Sequence, residues 1–197
     1  NGKSVFTPLK MVDTDFHVPP EKAERFAANY QPTKTGMALY DDPETSSYLS
    51  PPSLISGGGG LVSTAKDYLA FATMLLNGGT ANGVRFLSPK TIQLMASNHL
   101  PGGKTLADIS TSMFSEVGYA GVGFGLGFSV TTDVAASMIP GSNGDYAWGG
   151  AASTYFWIDP KEEMTCIFLT QLLPSDTYPV RRELRTLVYS AFEDSNA

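Results

Sequence analysis

Residues 151–170 hold two strand-like runs with a tight turn between them. Ala151 to Ile158 carries Thr154, Tyr155, Phe156, Trp157 and Ile158, side chains that fit a pleated surface. Met164 to Thr170 carries Ile167, Phe168 and Leu169, and reads as a buried strand. Asp159-Pro160-Lys161-Glu162 supplies the turn residues. A connection this tight makes the two runs an antiparallel pair. Phe124 to Val130 alternates in size with period two and predicts a further strand.

Helix signals flank these strands. Thr64 is placed as an N-cap with Asp67 at the third helical position, a variant of the capping box. Leu69, Ala72, Leu75 and Leu76 then recur at helical spacing, and Gly78-Gly79 ends the run. A second helix starts at Ser88 with Pro89 in its first position and Ile92, Met95 and Ala96 on one face. A closing helix over 180–193 places Leu184, Leu187, Val188 and Ala191 on one face. Antiparallel strands beside segregated helices predict an α+β fold.

The first 60 residues are broken by Pro8, Pro19, Pro20, Pro32, Pro43, Pro51 and Pro52. They read as irregular, with a short helix from Pro20 to Asn29. Residues 31–56 lack periodicity, and long loops of this kind often border a binding site. Gly57 to Gly60, running straight into a helix start, suggests a close-packed turn rather than a flexible linker.

Composition narrows the function. A chain of 197 residues with 42% apolar and 16% charged residues can bury a core without disulfides. Thirteen basic against nineteen acidic residues leave a net charge of −6, a poor match for nucleic acid. Cys166 is the only cysteine, and His17 and His99 stand far apart, so no metal-ligand spacing exists. No apolar run approaches the roughly 20 residues of a membrane span. Asn1 rather than Met at the start reads as a processed chain or a piece of a longer one.

Two short matches suggest serine acyl-transfer chemistry. Ser63-Thr-Ala-Lys66 fits S-x-x-K, where a Ser nucleophile at a helix start faces a Lys one turn on. Lys34-Thr35-Gly36 fits K-T-G, which must lie on a sheet-edge strand. Both read as decoys. The helix start is explained without Ser63 and Lys66, Lys34 lies in a proline-broken segment, and the order of the two motifs is reversed. More informative is Trp148-Gly149-Gly150-Ala151, entering the aromatic strand. Paired glycines let a ligand approach the backbone, and an amide there could face a carbonyl oxygen as in an oxyanion hole. A glycine bulge that opens a hairpin explains the same residues.

This stretch resembles the third active-site motif of the serine β-lactamase-like family. That family includes class C β-lactamases, D-Ala-D-Ala carboxypeptidases and related penicillin-binding proteins, and carboxylesterases in which Trp-Gly-Gly replaces Lys-Thr-Gly. Phe6-Thr-Pro-Leu-Lys-Met-Val-Asp-Thr-Asp-Phe16 is similar to its F-x-P-L-G-M-x-D-T-x-F segment, with Lys10 in place of Gly. Gly57 to Tyr68 resembles its G-G-L-x-S-T-A-x-D helix start, and Phe124-Gly-Leu-Gly-Phe128 the strand before the third motif. The resemblance implies a β-lactamase/transpeptidase-like fold, with residues 1–115 in its helical lobe and 116–197 in its α/β lobe. It implies that Trp148, Gly149 and Gly150 bind substrate and that the Ala151 N–H is an oxyanion donor.

In the family the nucleophilic Ser, general-base Lys and catalytic Tyr lie upstream of the F-x-P-L-G-M segment. The chain therefore reads as the C-terminal half of an acyl-enzyme hydrolase acting on esters or amides, with no cofactor. Its expected partner is the N-terminal half, as a separate chain or replaced by self-association. Two alternatives stand: a non-catalytic binding module on the same scaffold, and a self-sufficient enzyme using Ser63 and Lys66.

Overall fold

The structure is a computed structural model and describes residues 4–110 and 119–195. In chain order the helices are α1 (Phe6–Leu9), α2 (Ala65–Leu76), α3 (Pro89–Met95), α4 (Leu106–Ile109), α5 (Val134–Ser137) and α6 (Val180–Ser190). The strands are β1 (Asn29–Thr33), β2 (Gly36–Asp41), β3 (Thr80–Ala81), β4 (Val84–Arg85), β5 (Val122–Phe124), β6 (Ser129–Thr131), β7 (Tyr146–Gly149), β8 (Tyr155–Asp159) and β9 (Met164–Phe168). β5 to β9 form an antiparallel sheet in sequence order, and β1–β2 and β3–β4 are separate hairpins. The boundary at residue 115 lies outside the described residues.

The expected β8–β9 pair is present, in register from Tyr155 opposite Phe168 to Asp159 opposite Met164. Asp159 closes its turn: Oδ1 accepts the Lys161 and Glu162 amides at 3.0 and 3.2 Å. β9 is only half-buried, because it is the last strand of the sheet.

Helix α2 begins as expected, with the Thr64 hydroxyl accepting the Asp67 N–H at 3.3 Å. The Asp67 carboxylate does not turn back to complete a capping box. It accepts the Asp13 amide at 2.6 Å and the Thr14 hydroxyl at 3.0 Å, and Thr14 also bonds the Ser63 hydroxyl at 2.8 Å. These bonds, centred on the buried Thr14 and Asp67, fasten the segment after α1 to the start of α2. Ala72, Met74 and Leu75 are buried, whereas Leu69 is exposed. The buried face packs on the sheet, where Tyr68 meets Phe156 edge-on at 5.0 Å. One apolar cluster joins α1, α2 and α3 to β6, β7 and β8 through Leu9, Ala72, Ile92, Val130, Tyr146 and Ile158.

Several local expectations give way. Residues 29–41 form a hairpin, turning at Lys34-Thr35. Both its faces are largely exposed, so burial imprints no alternation on its sequence. Pro20–Arg25 is a 3₁₀ helix. Phe124–Val130 is two strands, not one: the chain reverses at Gly125–Phe128, where the Gly125 amide bonds Phe128 O at 2.8 Å. A side chain at Gly125 would strike the Met95 carbonyl at the end of α3. In the glycine run only Gly60 is closely packed, against Ser56 and Phe16; Gly57, Gly58 and Gly59 border open space. On α6, Leu187 is 70% exposed and the buried residue is Arg185.

Candidate active site

Trp148 and Gly149 end β7, and residues 150–154 turn the chain into β8. The β6–β7 ladder stops at Ser129 opposite Ala147. Beyond it, the β7 edge from Trp148 onward pairs with no strand on the β6 side among the described residues, while its other edge pairs with β8. Trp148 is 42% exposed, and its indole packs edge-on against Phe124 with ring centroids 5.0 Å apart. An apolar wall with one N–H donor therefore stands beside an open backbone edge.

The turn is tightly built. The Gly150 amide bonds Thr154 O at 2.9 Å and the Ser153 amide bonds Gly150 O at 3.1 Å. Ser153 is buried with φ +69°, and its hydroxyl donates to Leu172 O at 2.6 Å. The Leu172 amide returns to Ala152 O at 3.1 Å. Ala151 is exposed, and its amide makes no hydrogen bond to a described residue. A fixed turn with an exposed amide that meets no described partner can stabilise developing negative charge on a carbonyl oxygen.

Other elements close around this turn. Tyr30 of β1 donates its amide to Gln171 O at 3.1 Å and accepts the Leu173 amide at 2.8 Å. Gln171–Leu173 thus links the β1–β2 hairpin to Ala152 and Ser153, and Tyr30, Met37, Leu39 and Tyr40 present exposed apolar side chains on it. Helix α6 contributes Arg181, whose Nη2 donates to Gly150 O at 2.6 Å and Thr154 O at 3.0 Å. Arg181, Arg185, Trp148, Gly149 and Tyr155 line a common pocket.

The remaining sequence-selected residues lie elsewhere. Ser63, ahead of α2, is held by Thr14, and no hydrogen bond joins it to Lys66 among the described residues. Lys66 lies in the first turn of α2 and lines a shallow pocket with Leu9, Leu69 and Asn82. Lys34 is exposed at the tip of the β1–β2 hairpin, not on a strand of the main sheet. Burial raises the Cys166 thiol, which disfavours the thiolate a nucleophile would need. Among the described residues no group of three His, Cys, Asp or Glu side chains is arranged to hold a metal, and no helix is long and apolar enough to cross a membrane.

Nothing local in the sequence ties Arg181 to this turn, and Thr154 reads there only as a strand residue. Three arginines at 181, 182 and 185 were the available signal, but nothing local says which of them reaches the turn.

An antiparallel sheet with a C-terminal helix against it and a Trp-Gly-Gly turn at an open strand edge belongs to the β-lactamase/transpeptidase-like architecture. The chain is a member of the Beta-lactamase family, whose sequence model matches residues 2–190. Protein Rv1367c of Mycobacterium tuberculosis (strain ATCC 25618 / H37Rv) is 37% identical over 173 residues, covering 86% of this chain and 42% of that protein. Among solved structures, EstCE1, described as a hydrolase with promiscuous acyltransferase activity, superposes with a TM-score of 0.75 at 24% identity over 95% of this chain and 49% of its own. Simvastatin synthase (LovD) from Aspergillus terreus superposes with a TM-score of 0.79 at 20% identity over 98% of this chain and 50% of its own. The chain spans about half the length of these relatives.

Proposed function

We propose that this chain supplies the oxyanion side and one pocket wall of a serine hydrolase that works through an acyl-enzyme on esters or amides. The observation that carries the reading is the Trp148–Ala151 turn: an open β7 edge, an exposed indole and an Ala151 amide free of any described partner. The nucleophilic Ser, general-base Lys and Tyr belong to the half of the family's length that this chain does not span. The Ser hydroxyl adds to the substrate carbonyl while its proton passes to the base, and the oxygen becomes an oxyanion facing Ala151 N–H. Collapse expels the alcohol or amine with a proton and leaves an acyl-serine, which water then hydrolyses to free acid. Trp148 in place of a Lys removes a cation that would bind a substrate carboxylate, which favours neutral esters.

Within this reading, residues 1–115 belong to the helical lobe and 116–197 to the α/β lobe. The complementary half is the partner that covers the open edge of β9 and the exposed Leu169, Leu187 and Phe192.

The test uses the full-length protein and a fluorophosphonate probe with p-nitrophenyl esters. Ester turnover with labelling of one serine outside residues 1–197 is expected, and the isolated chain is expected to be inert. Labelling of Ser63 that disappears in Lys66→Ala would overturn the assignment in favour of a self-sufficient site. Absence of both turnover and labelling in the full-length protein would make the scaffold a binding module.

A further inference from the structure

We infer that Arg181 is the positioning residue of the oxyanion turn, holding Gly150–Thr154 in the one conformation that aims the Ala151 amide outward. This rests on the reading of Ala151 as the oxyanion donor. Arg181 comes from the first turn of α6, some thirty residues after the turn it contacts. One of its nitrogens, Nη2, donates to Gly150 O at 2.6 Å and Thr154 O at 3.0 Å. These two carbonyls bracket the turn, and both also accept amides from within it, Gly150 O from Ser153 and Thr154 O from Gly150. The guanidinium thus completes the second lone-pair site of each carbonyl and ties the two ends of the turn to one rigid plane.

The glycines fit this role. A Cβ on Gly149 would sit 2.5 Å from the Arg181 Cζ and Nη1, so position 149 must be bare for the guanidinium to lie beneath the turn. A Cβ on Gly150 would strike the Thr154 hydroxyl inside the turn. The two glycines therefore leave room for the arginine at 149 and for the Thr154 hydroxyl at 150. The Tyr155 ring, 5.5 Å from the guanidinium, holds it from a second side.

The experiment compares Arg181→Met, Arg181→Lys and Gly149→Ala with wild type in the full-length protein. Two readouts are used: amide hydrogen exchange at Gly150 and Ser153, and steady-state ester kinetics. Exchange at those two amides should rise at least tenfold in Arg181→Met and Gly149→Ala, with Trp157 and Ile158 on β8 unchanged. A looser turn stabilises the transition state less while leaving ground-state binding alone, so kcat should fall about ten- to hundredfold with KM within threefold. Arg181→Lys, a point charge without the planar fork, should recover part of the protection and part of kcat. Unchanged exchange in Arg181→Met overturns the inference. So does raised exchange with unchanged kcat, or a loss expressed only in KM. If wild type turns over no ester but exchange rises as stated, the functional reading fails and the structural role of Arg181 stands.

Discussion

Arg185 Nη2 lies 2.6 Å from Asp145 Oδ2, and both side chains are buried, on α6 and just before β7 respectively. Thr131 donates to Asp145 Oδ1 at 2.7 Å and the Ser142 amide to Oδ2 at 3.1 Å. The guanidinium also donates to Pro140 O and stands over the Trp157 and Tyr189 rings at 5.4 and 5.5 Å. The closing helix is therefore locked to the sheet by a saturated buried ion pair rather than by an apolar stripe.

Breaking one side of such a pair leaves the other charge buried and alone. Arg185→Met and Asp145→Asn should each lower unfolding free energy by about 3–5 kcal/mol. The double variant Arg185→Met/Asp145→Asn should lose clearly less than the sum, since no stranded charge remains. Urea unfolding of the four proteins measures the coupling, and additive losses would contradict it.

Tyr146 is 1% exposed, and its hydroxyl has no hydrogen-bond partner among the described residues. Tyr146→Phe should therefore leave stability unchanged or raise it by up to about 1 kcal/mol. Burial also pushes the Tyr146 phenol up to about 12. Between its ordinary value near 10 and about 12 the unfolded chain has lost this proton while the folded one keeps it. Stability is thus independent of this group below pH 10 and falls as pH rises from 10 to 12, by on the order of 2–3 kcal/mol. Tyr68, pushed up to about 12 by burial, adds a fall of the same sign. Thermal unfolding from pH 8 to 11.5 should show a shallower alkaline decline in Tyr146→Phe.

Position 148 should set substrate class in the full-length protein. Trp148→Lys should lower turnover of hydrophobic acyl esters and strengthen binding of carboxylate-bearing β-lactams roughly ten- to hundredfold, the worth of a charge-assisted contact of about 1.5–3 kcal/mol. Gly150→Val should impair every substrate, because its side chain would meet Thr154 within the turn. Kinetics on one ester and one cephalosporin decide it. An ester-to-cephalosporin ratio of kcat/KM unchanged within threefold would place residue 148 away from the substrate.

The 197-residue chain by itself should associate. Among the described residues β9 ends the sheet with an unpaired edge, and Leu169, Leu187 and Phe192 are 46%, 70% and 40% exposed. Sedimentation should show dimers or larger species, and a peptide spanning the complementary half should dissociate them. A monodisperse monomer across micromolar concentrations would contradict this.

Local chemistry alone determined the β8–β9 hairpin, the start of α2 at Thr64 and that of α3 at Ser88-Pro89. Each signal acts within a few residues: a tight turn between strand runs, an N-cap hydroxyl, a proline with its angle preset. The Trp148–Ala151 segment was legible for the same reason, since its glycines and aromatics are contiguous. Only the tertiary structure decided what surrounds it. The β1–β2 hairpin has two wet faces and so no periodic signature, and its site contact runs through Gln171–Leu173, far along the chain. β9 has a strand's composition, but edge or centre is a property of sheet order. The apolar spacing of α6 pointed to Leu187, while the helix turned Arg185 inward because Asp145 waits there, 40 residues away. A sequence pattern records what is near in the chain, whereas burial, charge pairing and the reach of Arg181 depend on what folding brings near in space.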